Sequence, residues 1–237
     1  MVVVDGSASA AVVRRNSVLA ALSSIGFLAA QVELVSLDNL DVVHEIDQPT
    51  AAVLFPVSCV VSVAARDVDE ALDVTTVGRE GLVGLPGLLG ASVHDTQAVC
   101  RVPGEALRLP LATARQLLVA DPEGLAVLHR YIRGNVADLM QRIACNRAHG
   151  NEARCACWLL KTSVRTGSDA FELTHATLAT MLGVRRATVT DNIAGLQRHE
   201  MVRSSRGTVT VLDRAALEAA ACNCYTAFCR ALPTTFF

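Results

Sequence analysis

The stretch ELTHATLATMLGVRRATVTDNIAGLQRHEMVRSSRGTVTVLDR, residues 172–214, holds two short helical patterns, a tight turn between them and a hairpin after them. Thr174 stands where a helix N-cap belongs, its hydroxyl able to accept from a first-turn N–H, and Leu178, Ala179 and Leu182 follow at helical spacing. Gly183 ends this helix with a sharp turn. A second helix, from about Arg186, buries Val189, Ile193 and Leu196, and such a pair reads as a helix-turn-helix. In MVRSSRGTVTVLD, residues 201–213, apolar and polar residues alternate around a Ser-Arg-Gly turn, the pattern of a two-stranded wing.

Upstream, residues 110–165 are almost free of turn signals and carry helical periodicity, enough for two or three helices. Leu125, Leu128, Ile132, Val136, Leu139 and Ile143 follow steps of three and four, which places them on one seam of one long helix. That seam suits pairing with a second copy, and it equally suits packing on the chain's own domain. Gly134 inside the helix costs about 1 kcal/mol relative to alanine. Further upstream, from about 32 to 111, the chain runs in short Val/Leu-rich pieces: VELVSL, DVVHEID, AAVLFPVSCVVSVAA, ALDVTTVGREG and TQAVCRVPGEALRLP. Strands at this spacing predict a small sandwich or barrel.

The length of 237 residues accommodates two modest domains. Charge is divided unevenly. Residues 1–150 carry 11 Lys+Arg against 16 Asp+Glu, whereas 151–237 carry 10 against 7, so the basic second half is the candidate for a polyanionic partner. No run approaches the about 18–20 apolar residues of a membrane span. The N-terminus MVVVDGSASAAVVRR has its arginines after the apolar segment, which argues against a secretory signal and for the cytoplasm. Eight cysteines without such a signal read as reduced thiols.

The order of strands, long helix and winged helix resembles the Crp/Fnr superfamily of bacterial transcription regulators. LATMLGVRRATVT, LQRHEMVRSSRGTVTVLDRAALEAAACNCY and, earlier, TVGREGLVGLPGLLG followed by RVPGEALRLP carry the likeness. The resemblance implies an α+β chain. A β-roll sensory domain like that of cyclic-nucleotide-binding proteins spans 16–120, a dimerisation helix 121–148 and a winged helix-turn-helix domain 149–237. It also implies a cytoplasmic homodimer on a palindromic DNA operator, with RNA polymerase as a further partner and no membrane. In such proteins the second helix of the motif enters the major groove. Arg186 is similar to the family's base-reading arginine, and a guanidinium can grip guanine O6 and N7 in a fork. Arg185, Thr188, Thr190, Asn192 and, in the wing, Arg206 are the other expected DNA contacts. Ala187 and Asp191 depart from the well-studied members, which carry glutamate and arginine there, so a different operator sequence is expected.

The same resemblance puts GLPGLLGASVHDT, residues 84–96, at the family's phosphate cassette. Gly84 opens this loop; Leu85 and Pro86 stand near the acidic position and His94 and Asp95 near the arginine position, so neither the ribose-binding carboxylate nor the phosphate-binding arginine is there. No arginine lies between Arg79 and Arg101. The expectation is a degenerate ligand loop and no cofactor. The alternative is a protein of the same fold that answers to a cyclic nucleotide or another small effector, or one that uses the long helix as an interaction surface.

No metal site is expected. The absence of cysteine before Cys59 excludes the family's N-terminal iron–sulfur cluster. Cys155 and Cys157 on one helix point about 200° apart. Cys222 and Cys229 share a helical face, but zinc ordinarily takes C-x2-C pairs. His44, His129, His149, His175 and His199 show no spacing of a shared ligand set, nor does any one of them anchor a haem. The motifs of serine hydrolases, P-loop proteins and zinc peptidases are missing, which argues against an enzyme.

Overall fold

The computed structural model describes residues 2–22, 29–65 and 73–231, with 2–7 as backbone only. The chain divides into two compact units, 1–134 and 135–236. Residues 232–237, the end of the expected winged-helix range, lie outside the described residues.

The first unit opens with β1 (Val2–Ser7), α1 (Ala10–Val13) and α2 (Ser17–Ala20). There follow β2 (Glu33–Leu37), β3 (Val42–His44), β4 (Ala52–Pro56), β5 (Val60–Ala65), β6 (Asp73–Val77) and α3 (Leu85–Leu88). It continues through β7 (Thr96–Val102), β8 (Gly104–Pro110) and α4 (Leu111–Arg115), the last extended by a π-helical turn, Gln116–Ala120. The strands form two antiparallel four-stranded sheets, β1-β2-β8-β4 and β3-β7-β5-β6. Residues 2–15, ahead of the expected β-roll, join it because β1 pairs with β2.

Alternation explains how the two sheets pack. Val35, Leu37, Leu54 and Ala106 of the first sheet meet Val61, Val77, Ala98 and Cys100 of the second in one apolar cluster. The intervening residues Val53, Phe55, Leu107 and Leu109 point the other way, into a second cluster closed by Val13, Leu19, Ala114, Leu118, Val127 and Leu128. The first sheet is thus covered on both faces, which is why β4 is apolar at every position. The run 51–65, read as one strand, is two: Val57, Ser58 and Cys59 turn the chain, and all three of their N–H groups point at Glu105 O. Asn16 is fully buried and satisfied. Its Oδ1 caps α2 through the Val18 and Leu19 N–H groups, and its Nδ2 donates to Pro56 O and Gly81 O.

The long helix, α5 (Pro122–Ala148), begins at Asp121, whose Oδ2 accepts from the Gly124 N–H at 2.8 Å, with proline at the first helical position. A Cβ on Gly124 would lie 1.6 Å from Leu117 O, so only glycine lets α5 start against the π-helical turn. The division between units falls inside α5, after Gly134.

The second unit takes the rest of α5, then α6 (Asn151–Thr166), β9 (Ala170–Glu172), α7 (His175–Leu182) and α8 (Arg186–Arg198). β10 (Val202–Ser205), β11 (Thr208–Val211), α9 (Arg214–Ala220) and α10 (Cys224–Ala231) complete it. β10, β11 and β9 form an antiparallel sheet. Asp138 of α5 sits between two α6 cations, with Lys161 Nζ at 2.7 Å and Arg165 at 3.6 Å. Burial disfavours its charge, but Lys161 and Arg165 outweigh that and hold its carboxyl below the ordinary range. Both cations also stand over the Phe228 ring, at 4.7 and 4.9 Å from its centroid.

Candidate nucleic-acid interface and ligand loop

The helix pair at 175–198 forms from local signals. Thr174 Oγ1 accepts from the Thr177 N–H at 3.1 Å, capping α7. Gly183 closes α7 in the left-handed region at φ 64°. Leu178, Ala179, Leu182, Val189, Ile193 and Leu196 are all buried, so the apolar stripes of both helices turn inward. The wing turns at Arg206 (φ 50°) and Gly207 (φ 80°), two consecutive positive φ values that define a type I′ hairpin and put the Arg206 side chain in solvent.

Arg185 and Arg186 are exposed at the start of α8. Among the described residues neither they nor Arg206 has an ion pair, so their charge is uncompensated. Arg185 occupies the N-cap position without a side-chain hydrogen bond, which leaves first-turn N–H groups open for an anion. Thr190 is exposed, but its Oγ1 is engaged by Arg186 O at 3.1 Å and His175 Nδ1 at 3.0 Å, while Thr188 is half-buried. Asn192 is half-buried, with its Nδ2 shielded from solvent and without a hydrogen-bond partner among the described residues.

Sequence reasoning missed His175. Its Nδ1 meets Thr190 of α8 while its Nε2 lies 3.5 Å from Ser204 Oγ of β10, so one ring joins the start of α7, the second helix and the wing. A lone histidine gives no such signal in a sequence, since the hydroxyls it bonds are 15 and 29 residues away.

In the 84–96 loop the glycines have structural duties. Gly84 takes φ 101° ahead of α3, and a Cβ on Gly87 would stand 2.4 Å from Thr50 Cγ2. Arg115 reaches the loop from α4, but its guanidinium is committed to Gly87 O, from Nε at 3.1 Å and a terminal nitrogen at 2.7 Å. Arg101 is likewise committed, as a bidentate pair with buried Asp73. His94 is buried and stacked on His44, with ring centroids 3.6 Å apart and planes 6° from parallel. Desolvation lowers the pKa of both, and with the neighbouring ring it takes His44 down to about 4, so neither offers an imidazolium at neutral pH. Asp95 is exposed, and Leu85 and Pro86 are half-buried.

The α5 seam also needs correction. Leu128 is 1 % exposed inside the chain's own core, and Ile132 packs against that core, so the stripe there faces inward. Leu125 and Leu139 are half-buried. Val136, Met140 and Ile143 are exposed by 46, 68 and 66 %, an apolar face at spacing i, i+4, i+7 that includes Met140, which the sequence reading omitted.

Two cysteine readings change as well. Cys222 precedes α10, so it shares no helical face with Cys229. His149, without a partner by spacing, lies in a group with Cys145, Cys222 and Cys224.

A β-sandwich unit, a long helix and a winged helix-turn-helix define the class: a β-roll and winged-helix fold with a helix-turn-helix DNA-binding domain. Residues 153–220 match the Crp-like helix-turn-helix domain. Among solved structures, FixK2 from Bradyrhizobium japonicum superposes with a TM-score of 0.67 at 13 % identity, covering 81 % of this chain and 98 % of its own. TTHA1359, a CRP/FNR-family transcriptional regulator from Thermus thermophilus, gives 0.61 at 25 % identity, with 80 and 98 % covered. TTHB099, a CRP-family regulator of the same organism, gives 0.64 at 17 %, with 79 and 96 % covered. No curated protein matches the sequence. Residues 153–220 thus form a Crp-like helix-turn-helix domain, and the chain as a whole has the fold of Crp/Fnr-family transcription regulators. No described helix is long and apolar enough to cross a membrane.

Proposed function

We propose that the protein is a homodimeric, sequence-specific DNA-binding regulator of transcription, without enzymatic activity, that works in the cytoplasm with RNA polymerase and whose β-roll has lost cyclic nucleotide chemistry. The observation that carries this reading is the exposed, unpaired Arg185–Arg186 pair at the N-terminus of α8, next to a wing held to that helix through His175. Arg186 reads a guanine edge. Arg185, Arg206 and the open N–H groups of α8 take phosphates, which position the protein without reading sequence. Thr188 and Thr190 flank these contacts. A two-fold operator requires two copies, and the exposed Val136, Met140 and Ile143 face of α5 supplies a surface for the second.

The test is selection of bound DNA from a random pool. A palindrome with half-sites about one helical turn apart is expected. Arg186→Ala should cost about 1–3 kcal/mol per half-site and erase preference at one guanine. Arg206→Ala should weaken all sequences alike and lower the salt slope. A pool with no enriched sequence would refute sequence-specific binding, and an unchanged preference in Arg186→Ala would refute the assignment of that residue.

A further inference from the structure

Four ligand-bearing side chains from distant parts of the sequence meet inside the C-terminal unit. Cys145 lies in the last turn of α5, and His149 follows four residues on; its N–H still bonds Cys145 O at 3.1 Å, so the pair keeps the helical spacing that sets both on one side. Cys222 lies in the link between α9 and α10, pinned to α6 by its N–H bond to Ala153 O at 3.3 Å, and Cys224 opens α10. The three thiols are buried and His149 half-buried. Their ligand atoms all lie within 4.8 Å of one another.

The spacing carries more information than proximity. A tetrahedral zinc ion with Zn–S near 2.3 Å and Zn–N near 2.0–2.1 Å separates two sulfurs by about 3.8 Å and a sulfur from a nitrogen by about 3.5 Å. Cys145 Sγ and Cys222 Sγ are 3.6 Å apart, and Cys224 Sγ and His149 Nδ1 are 3.5 Å apart, so two opposite edges of that tetrahedron are already in place. We propose that Cys145, His149, Cys222 and Cys224 bind one Zn2+ ion.

Three soft sulfurs and one imidazole in a tetrahedral set suit zinc over the hard, oxygen-seeking cations, and four protein ligands leave no position for substrate, which makes the site structural. On binding, the three thiols lose their protons to solvent and the imidazole binds neutral, giving a centre of net charge −1. Gln141 supports it from outside: its Nε2 donates to Cys224 Sγ at 3.2 Å, a bond that strengthens when the sulfur is a thiolate. The ion ties the end of α5 to the α9–α10 link and the start of α10 within the unit that carries the helix-turn-helix. The Cys-x-Cys pair and the distance to Cys145 kept this set out of sight in the sequence.

The test uses the full, untagged chain purified under reductant without oxygen. One zinc per chain by elemental analysis is expected, and cobalt added to the metal-free chain should give thiolate-to-metal charge transfer with the intense visible bands of a tetrahedral site. Cys145→Ser and Cys222→Ser should each lose the stoichiometric metal, Gln141→Ala should weaken it roughly 10-fold, and Cys229→Ser, outside the cluster, should keep it. Should the serine variants unfold, mapping of alkylated cysteines in the wild-type chain decides: zinc protects Cys145, Cys222 and Cys224 together, and a chelator exposes them. No bound metal after loading, iron in place of zinc, a Cys145–Cys222 disulfide as the isolated state, or chelator-insensitive alkylation would each overturn the proposal.

Discussion

Replacing Ile143 by aspartate tests the dimer face where the chain's own core is least involved. Full burial of an Ile or Met side chain contributes about 1.5–3 kcal/mol. Ile143 is 66 % exposed, so about 1–2 kcal/mol remains for a partner to recover per copy, or about 2–4 kcal/mol across a two-fold interface. Met140, 68 % exposed, contributes a similar amount, and Val136 at 46 % somewhat less. Losing the Ile143 share raises the dimer dissociation constant roughly 30- to 700-fold, and the two carboxylates brought into the interface add to that. Sedimentation velocity over a dilution series reads the result directly: the wild type should run at twice 25.1 kDa and Ile143→Asp at 25.1 kDa. Because Ile143 faces water in the single chain, unfolding followed by the fluorescence of Trp158, the sole tryptophan, should hardly change. A variant that keeps the doubled mass down to nanomolar concentration would refute the argument, as would a wild type that is monomeric at micromolar concentration.

Titration calorimetry with cyclic AMP or cyclic GMP should give no binding at physiological concentrations, since the loop offers neither free arginine nor imidazolium; a low-micromolar dissociation constant would contradict this. Stability should be complete above about pH 6.5 and fall as the pH drops toward 4, because the unfolded chain takes up protons that buried His44 and His94 refuse; His44 alone accounts for about 3 kcal/mol. In His44→Phe that part of the pH dependence of the melting temperature should vanish, and an unchanged profile would count against it. Asp138→Asn leaves Lys161 and Arg165 buried without their carboxylate and should cost about 3–5 kcal/mol in urea unfolding, whereas a loss below about 1 kcal/mol would mean that solvent reaches the pair.

The winged helix-turn-helix was legible in the sequence because its determinants are local. A threonine cap, a left-handed glycine, a 3.6-residue stripe and an Arg-Gly turn each act within a few residues, and the folded chain keeps every one of them. Between 32 and 111 the strands were legible for the same reason, except at 57–59, where the turn is made by bonds to Glu105 in a distant strand, whereas β1 and β9, fixed by pairing with β2 and β11, were not. Periodicity also located the stripe on α5, but it cannot say what covers a stripe. Leu128 went to the core of the first unit, whereas Met140, in the second, stays exposed. His175 and the His44–His94 stack were settled the same way, by neighbours that arrive from other elements. The furthest case is Cys145 with Cys222, 77 residues apart: sequence spacing encodes only which residues share a face of one element, and tertiary packing alone decides which faces meet.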